Sequence, residues 1–114
     1  MSYAKYKNIK TTIDNIQFAS KRESERYLEL KLMQRAGIIS ELVLQPKFKL
    51  QDGFKYEGKT ERAITYIADF KYLNNETNEY IIEDVKGMET KEFKIKRKLF
   101  LYMYGSHYKF QIVR

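Results

Sequence analysis

The chain has no cysteine. That absence excludes disulfides, thiolate zinc sites and a cysteine nucleophile, and it fits a cytosolic protein. Histidine is nearly missing as well. His107 stands alone, and without a second histidine or a cysteine no zinc site is expected. No apolar run approaches the roughly 20 residues that span a bilayer. The opening MSYAKYKNIK has no apolar core behind its lysines, so neither a secretory signal nor membrane association is expected. No repeat, low-complexity tract or linker interrupts the 114 residues, a length that fits one domain with one modest core.

What the chain does have is positive charge. Lysine and arginine number 22 against 15 aspartate and glutamate, a net charge of +7, together with 10 tyrosines and 7 phenylalanines. A small basic domain calls for an anionic partner, of which nucleic acid is the commonest. The alternative is a chain that is merely basic. The tyrosines read as core and rim. Residues 1–8 read as a flexible basic arm ahead of a single domain over 9–114, and Tyr3 and Tyr6 with Lys5 and Lys7 could follow DNA.

The patterning gives a coarse order of elements. Asp14-Asn15 between β-branched residues predicts a hairpin over about 9–13 and 16–18. Ser20 with Glu23 three residues on forms a capping box for a helix. Tyr27, Leu28, Leu30, Leu32 and Met33 give that helix its apolar stripe, and Gly37 its stop. A strand follows over about 42–50, with Pro46 marking an edge or bulge. DGFKYEGKTER is turn-rich. AITYIADFKYL and YIIEDVKG read as two strands of an antiparallel hairpin around the polar NNETNE. Thr90 caps a second helix with Phe93, Leu99, Phe100 and Met103 at core spacing and Gly105 at its end. HYKFQIV closes the chain as a strand.

Two charges sit where the strand pattern wants apolar residues. Side chains alternate faces along a strand, so Asp84 and Lys86 share a side with Ile82, while Glu83 and Val85 take the other. Asp69 interrupts the preceding apolar strand, and a hairpin register brings it near Asp84. Two converging carboxylates are stable if one is protonated or if a cation sits between them, and Mg²⁺ suits such an oxygen site. Lys86 beside them could orient or help deprotonate a water, or offset charge on a phosphodiester. The structural alternative is a salt-bridge cluster of Asp69, Asp84 and Lys86 among themselves or with Lys71. Glu83 reads as part of a structural pair.

Asp69 followed across a hairpin by Asp84-Val85-Lys86 resembles the D…(D/E)-x-K signature of the PD-(D/E)XK nuclease superfamily, with Ala68 in place of the proline. FASKRESERYLELKLMQRAGIISELVLQPKFKL, YIADFKY and IIEDVKGMETKEFKIKRKLF resemble a family of small phage-encoded proteins, long catalogued as of unknown function and assigned to that superfamily. The resemblance runs over nearly the whole chain from Thr11. It implies an α/β fold with a restriction-endonuclease-like αβββαβ core behind an N-terminal β-hairpin. It implies metal-ligand roles for Asp69, Asp84, Val85 and Glu23 and a catalytic role for Lys86. Glu23 is also the expected partner of Ser20 in the capping box, and spacing does not separate the two roles. Gln45 resembles a glutamine near the active site of related nucleases, the alternative being a polar residue on a surface strand.

From Lys86 to Lys98 there are six basic residues and two acidic ones, Glu89 and Glu92. Lys91, Lys94 and Lys98 share one helix face, and Phe93, Arg97 and Phe100 share another. The lysine row, with Arg97 and the Thr90 cap, is expected to hold phosphates beside the site, the alternative being a solvated face. The whole reads as a Mg²⁺- or Mn²⁺-dependent endonuclease that hydrolyses DNA without a covalent intermediate. No small-molecule cofactor is expected. The resemblance places it in the cytoplasm of a bacterial host, encoded by a phage or prophage, in recombination, replication or branched-DNA processing. A homodimer would set two sites on two strands. The alternative is a non-catalytic nucleic-acid-binding or regulatory protein-interaction module.

Overall fold

The computed structural model describes residues 10–114, so the basic arm expected at 1–8 lies outside the described residues. A hairpin of β1 (Thr11–Ile13) and β2 (Ile16–Phe18) comes first. Asp14 and Asn15 turn it at φ of 54° and 64°, the left-handed pair that a tight hairpin turn requires. Helix α1 (Lys21–Arg35) starts at Ser20, whose side chain accepts the Glu23 N–H. Then come β3 (Ile39–Leu44), β4 (Lys47–Gln51), β5 (Phe54–Tyr56), β6 (Lys59–Glu61), β7 (Ile64–Ile67), β8 (Phe70–Asn74) and β9 (Glu79–Val85). Helix α2 (Lys91–Tyr104), capped by the Thr90 side chain, leads to β10 (Lys109–Val113).

The expected αβββαβ core of PD-(D/E)XK type is not what the chain builds. Strands take 42% of the described residues and helices 28%. The ten strands form one four-stranded sheet, ordered β10-β9-β8-β3, and three two-stranded ones, with only two helices among the described residues. In the larger sheet β9 is antiparallel to β8 and parallel to β10.

The difference arises because two strands expected to be continuous are each broken. Leu42 and Leu44 pack with Phe70, Tyr72, Tyr27 and Leu30 in a core beneath α1. Phe48, Leu50, Tyr66 and Ala68 pack with Phe93 and Phe100 in a second core beneath α2. A straight strand shows alternate residues to one face only. Tyr66 and Ala68 could not otherwise reach one core while Phe70 and Tyr72 reach the other. The chain therefore bends at Gln45-Pro46, where Gln45 has φ 51°, and again at Ala68-Asp69. The two bends lie side by side: the Gln45 N–H donates to the Asp69 carbonyl at 2.9 Å and the Ala68 N–H to the Pro46 carbonyl at 3.1 Å. Beyond them β4 pairs with β7, and the turn-rich segment forms a further hairpin of β5 with β6.

Both helices are less uniformly buried than their patterns suggest. Tyr27 and Leu30 of α1 are buried, but Leu28 and Leu32 are 45% and 61% exposed. In α2, Phe93 and Phe100 are core, while Leu99 and Met103 are 37% and 44% exposed. Among the described residues no helix is long and apolar enough to cross a membrane.

Candidate active site

Two adjacent carboxylates on β9, Glu83 and Asp84, are both buried, and alternation sends them to opposite faces of the sheet. Glu83 points toward α1. Arg26 grips it with both ends of its guanidinium, Nε to Oε1 at 2.9 Å and Nη2 to Oε2 at 2.6 Å. The Tyr72 hydroxyl and Gln111 Nε2, the latter at 2.8 Å, also donate to Oε2. A buried charge with this many donors is fully accounted for inside the protein. The Glu83 hydrogen bond holds the Arg26 guanidinium even more firmly protonated than usual, and burial beside Glu83 pushes the Tyr72 phenol up.

Asp84 points the other way, toward α2. It accepts a hydrogen bond from the Tyr66 hydroxyl on Oδ2, and Lys86 Nζ lies 3.4 Å from Oδ1. Lys86 also sits over the Phe93 ring, 4.6 Å from its centroid. Asp69 occupies the second bend. Its main-chain N–H donates to the Glu83 carbonyl at 3.0 Å, continuing the β8–β9 register by one step and setting it opposite Asp84. Its Oδ2 accepts the Val85 N–H at 2.7 Å. Burial, then the neighbouring Asp84 and Glu23 carboxylates, push its carboxyl up to about 8 against the opposing Val85 hydrogen bond.

Glu23 is buried in the first turn of α1. Its N–H is capped by Ser20 Oγ at 3.1 Å, which is one half of the expected capping box. Its carboxyl is raised by burial, with hydrogen bonds to Asp69 and the Ala19 backbone opposing the shift. The side chain thus turns toward the aspartates, and the helix-cap role and a place beside them coexist. Gln45 joins Glu23, Asp69, Phe18 and Leu44 around a cleft of about 460 Å³. A second cleft of about 310 Å³ is lined by Asp84, Lys86, Tyr66, Thr90, Phe93 and Lys96. The carboxylate cluster therefore contributes to two clefts, one beside α1 and one beside α2.

The salt-bridge alternative is realised only in part. Lys86 pairs with Asp84, but Lys71 lies over the rings of Tyr80 and Tyr108 instead. The lysine row lies off the cleft beside α2. Lys91, Lys94 and Lys98 are exposed, yet none of them lines the α2-side cleft. At 100° per residue their shared face lies about 150° around the helix from Glu92 and Lys96, which do line it. Arg97 lies over the Phe110 ring at 5.6 Å, and its buried Nε has no hydrogen-bond partner among the described residues. Thr90 lines the cleft as well as capping α2. Sequence reasoning missed Tyr66 and Lys96. An aromatic hydroxyl within an apolar strand, three residues before Asp69, was the available signal for Tyr66. Lys96, four residues after Glu92, has the spacing of an ordinary helix ion pair, which it also forms at 3.1 Å.

The donor set suits a hard divalent cation. Asp69 and Asp84 converge, and the Asp69 carboxyl is raised first by burial and then by the neighbouring carboxylates. Among the described residues no three His, Cys, Asp or Glu side chains form a group that could hold a metal ion. A cation here would rest on the two aspartates, a main-chain carbonyl such as that of Val85, and water. That is the ligand economy of Mg²⁺, which keeps several waters.

Over residues 3–114 the sequence matches the profile of a family described as "Protein of unknown function (DUF1064)". The chain belongs to this family. No curated protein and no solved structure matches it. The family membership covers both bends, both clefts and all four residues of the Glu23, Asp69, Asp84 and Lys86 cluster.

Proposed function

We propose that this member of the DUF1064 family is a divalent-metal-dependent endonuclease that hydrolyses phosphodiester bonds in DNA. One observation carries the reading. Half-buried Asp69 faces buried Asp84, a lysine lies 3.4 Å from Asp84, and each aspartate lines an open cleft. Asp69 and Asp84 would hold the metal, with Val85 and Glu23 at its margin. The metal, when bound, supplies Lewis-acid polarisation of the phosphoryl group and of the attacking water. Lys86 offsets negative charge as it builds on the phosphoryl oxygens, from a position fixed by Asp84 and the Phe93 ring. Tyr66 fixes the Asp84 rotamer through its hydroxyl. Water adds to phosphorus as the bond to the leaving oxygen breaks, and no side chain forms a covalent intermediate. The expected setting is the cytoplasm of a bacterial cell carrying a phage or prophage.

The rival reading, a module that binds nucleic acid without cutting it, is favoured by the lack of a three-ligand metal group among the described residues. Cleavage of labelled duplex, single-stranded, forked and four-way-junction DNA in Mg²⁺, Mn²⁺ and EDTA separates the two. The nuclease reading requires metal-dependent cutting that Asp84→Ala and Lys86→Ala both abolish. Binding by parent and variants alike, with no cutting in any metal, establishes the rival.

A further inference from the structure

The segment between the two bends is an arm. From Lys47 the chain runs out through β4 and β5, turns at Glu57-Gly58 with φ of 50° and 79°, and returns through β6 and β7. Near the cores the arm is anchored by Phe48, Leu50 and Tyr66. Its outer half is not: all six residues of β5 and β6 are exposed, and the two strands pack substantially only on each other. Gly53 joins the halves at a close approach of the backbone. A Cβ there would lie 3.1 Å from the Glu61 carbonyl oxygen and 3.2 Å from the Ala63 nitrogen.

An isolated two-stranded hairpin is marginal in water, so the two large aromatic side chains it holds in solvent call for a reason. Phe54 is 50% and Tyr56 63% exposed. Two residues apart in one strand, they share a face and stand about 6.7 Å from each other, close to two base-stacking steps of about 3.4 Å. Register pairs Tyr56 with Lys59 and Phe54 with Glu61 on that same face. The tip therefore carries a cation beside a ring, and the inner end a carboxylate that would turn phosphate away. Lys47 and Lys49 lie along the exposed side of β4, paired in register with Ile67 and Thr65, and both of those line the Asp84–Lys86 cleft. The β4–β7 ladder thus links the cleft to the base of the hairpin that carries the rings.

We infer that the β5–β6 hairpin is a stacking platform for unpaired bases, with Phe54 and Tyr56 as the rings and Lys59 as the phosphate contact. It would direct the cleft to nucleic acid that has single-stranded character next to the scissile bond. Base stacking on an aromatic face is strong and indifferent to sequence, which suits a chain with no separate reading module. The inference rests on the nuclease reading for its purpose but not for its test.

The test is fluorescence anisotropy with Ca²⁺ in place of Mg²⁺, on a labelled fork with single-stranded arms and on the matching blunt duplex. Phe54→Ala/Tyr56→Ala should lose about tenfold or more in affinity for the fork and little for the duplex. Tyr56→Trp, which keeps a ring, should retain fork affinity, and Lys59→Ala should lose a few-fold with a shallower salt dependence. Equal losses on fork and duplex, or no loss on either, overturn the platform. If the parent binds the fork through these rings yet cuts nothing in Mg²⁺ or Mn²⁺, the nuclease reading falls and the platform stands. If the parent binds neither DNA, both fall.

Discussion

Glu83 and Asp84 are chain neighbours, equally buried, on opposite faces of β9, and the protein treats them differently. Glu83 receives a bidentate arginine, a tyrosine and a glutamine. Asp84 receives a tyrosine, a lysine at 3.4 Å and, facing it, a second carboxylate in Asp69. On one face the charge is closed within the fold. On the other it faces a second carboxylate beside open clefts. Burial of a carboxylate therefore does not by itself single out a candidate site, whereas an incomplete partner set does.

The sharpest way to break that contrast is on the closed face. Arg26→Ala removes both guanidinium bonds and strands a fully buried carboxylate, at an expected cost of about 3–5 kcal/mol in urea unfolding. Replacing Arg26 and Glu83 together by Met and Leu should recover most of that loss, because the pair holds the core without contributing much net stability. Lys86→Ala should do the reverse. Its partner lies at a cleft where water can replace the ammonium, so stability should change by less than about 1 kcal/mol. Metal-dependent cleavage should fall by at least about a hundredfold. A large loss of stability in Lys86→Ala with cleavage intact would make both faces structural.

The two faces also differ in how far they can be read from the chain. Period-two alternation separates Glu83 from Asp84, and the hairpin register brings Asp69 opposite Asp84 within one step. What alternation cannot show is where a strand changes partners. Tyr66, Ala68, Phe70 and Tyr72 have one parity and enter two cores, and only the bend at Ala68-Asp69 reconciles them. Pro46 signals the matching bend at Gln45, but its consequence, the pairing of β4 with β7, depends on contacts far apart in sequence. The place of the lysine row on α2, away from the α2-side cleft, has a simpler reason. Charge run and helical spacing fix which lysines share a face, while the positions of Phe93 and Phe100 fix which face meets the cleft.

Asp69 sharpens the contrast from the open side. Its folded-state value of about 8 stands above the ordinary 3.8. Between those values the folded chain holds a proton that the unfolded chain releases, so folding stability falls as pH rises through that window. Asp69→Asn keeps an oxygen for the Val85 N–H and removes the repulsion. In EDTA at pH 8 it should be more stable than the parent by on the order of 1–2 kcal/mol, with the gain gone near pH 4. Mg²⁺ should narrow the difference by stabilising the parent alone. Thermal unfolding across pH, with and without Mg²⁺, reads both effects, and a parent indifferent to pH and to metal would place Asp69 on the closed side of the comparison.

The smallest expected effect separates two lysines on one helix. Lys96 and Lys98 carry the same charge within one turn, but Lys96 lines the cleft beside Asp84 and Lys98 lies on the far exposed face. A contact to phosphate is local, since charges in solvent are screened over about 8 Å at physiological salt. Lys96→Ala should therefore weaken DNA binding by a few-fold and lower the salt slope by about one unit, while Lys98→Ala should leave both within error. Lys96 also gives up its 3.1 Å pair with Glu92, an exposed i, i+4 contact worth about 0.3–0.5 kcal/mol, too little to disturb the helix. Equal losses at the two positions would mean that DNA rides on the outer face of α2, away from Asp84, and that the open face of β9 is not where the backbone is held.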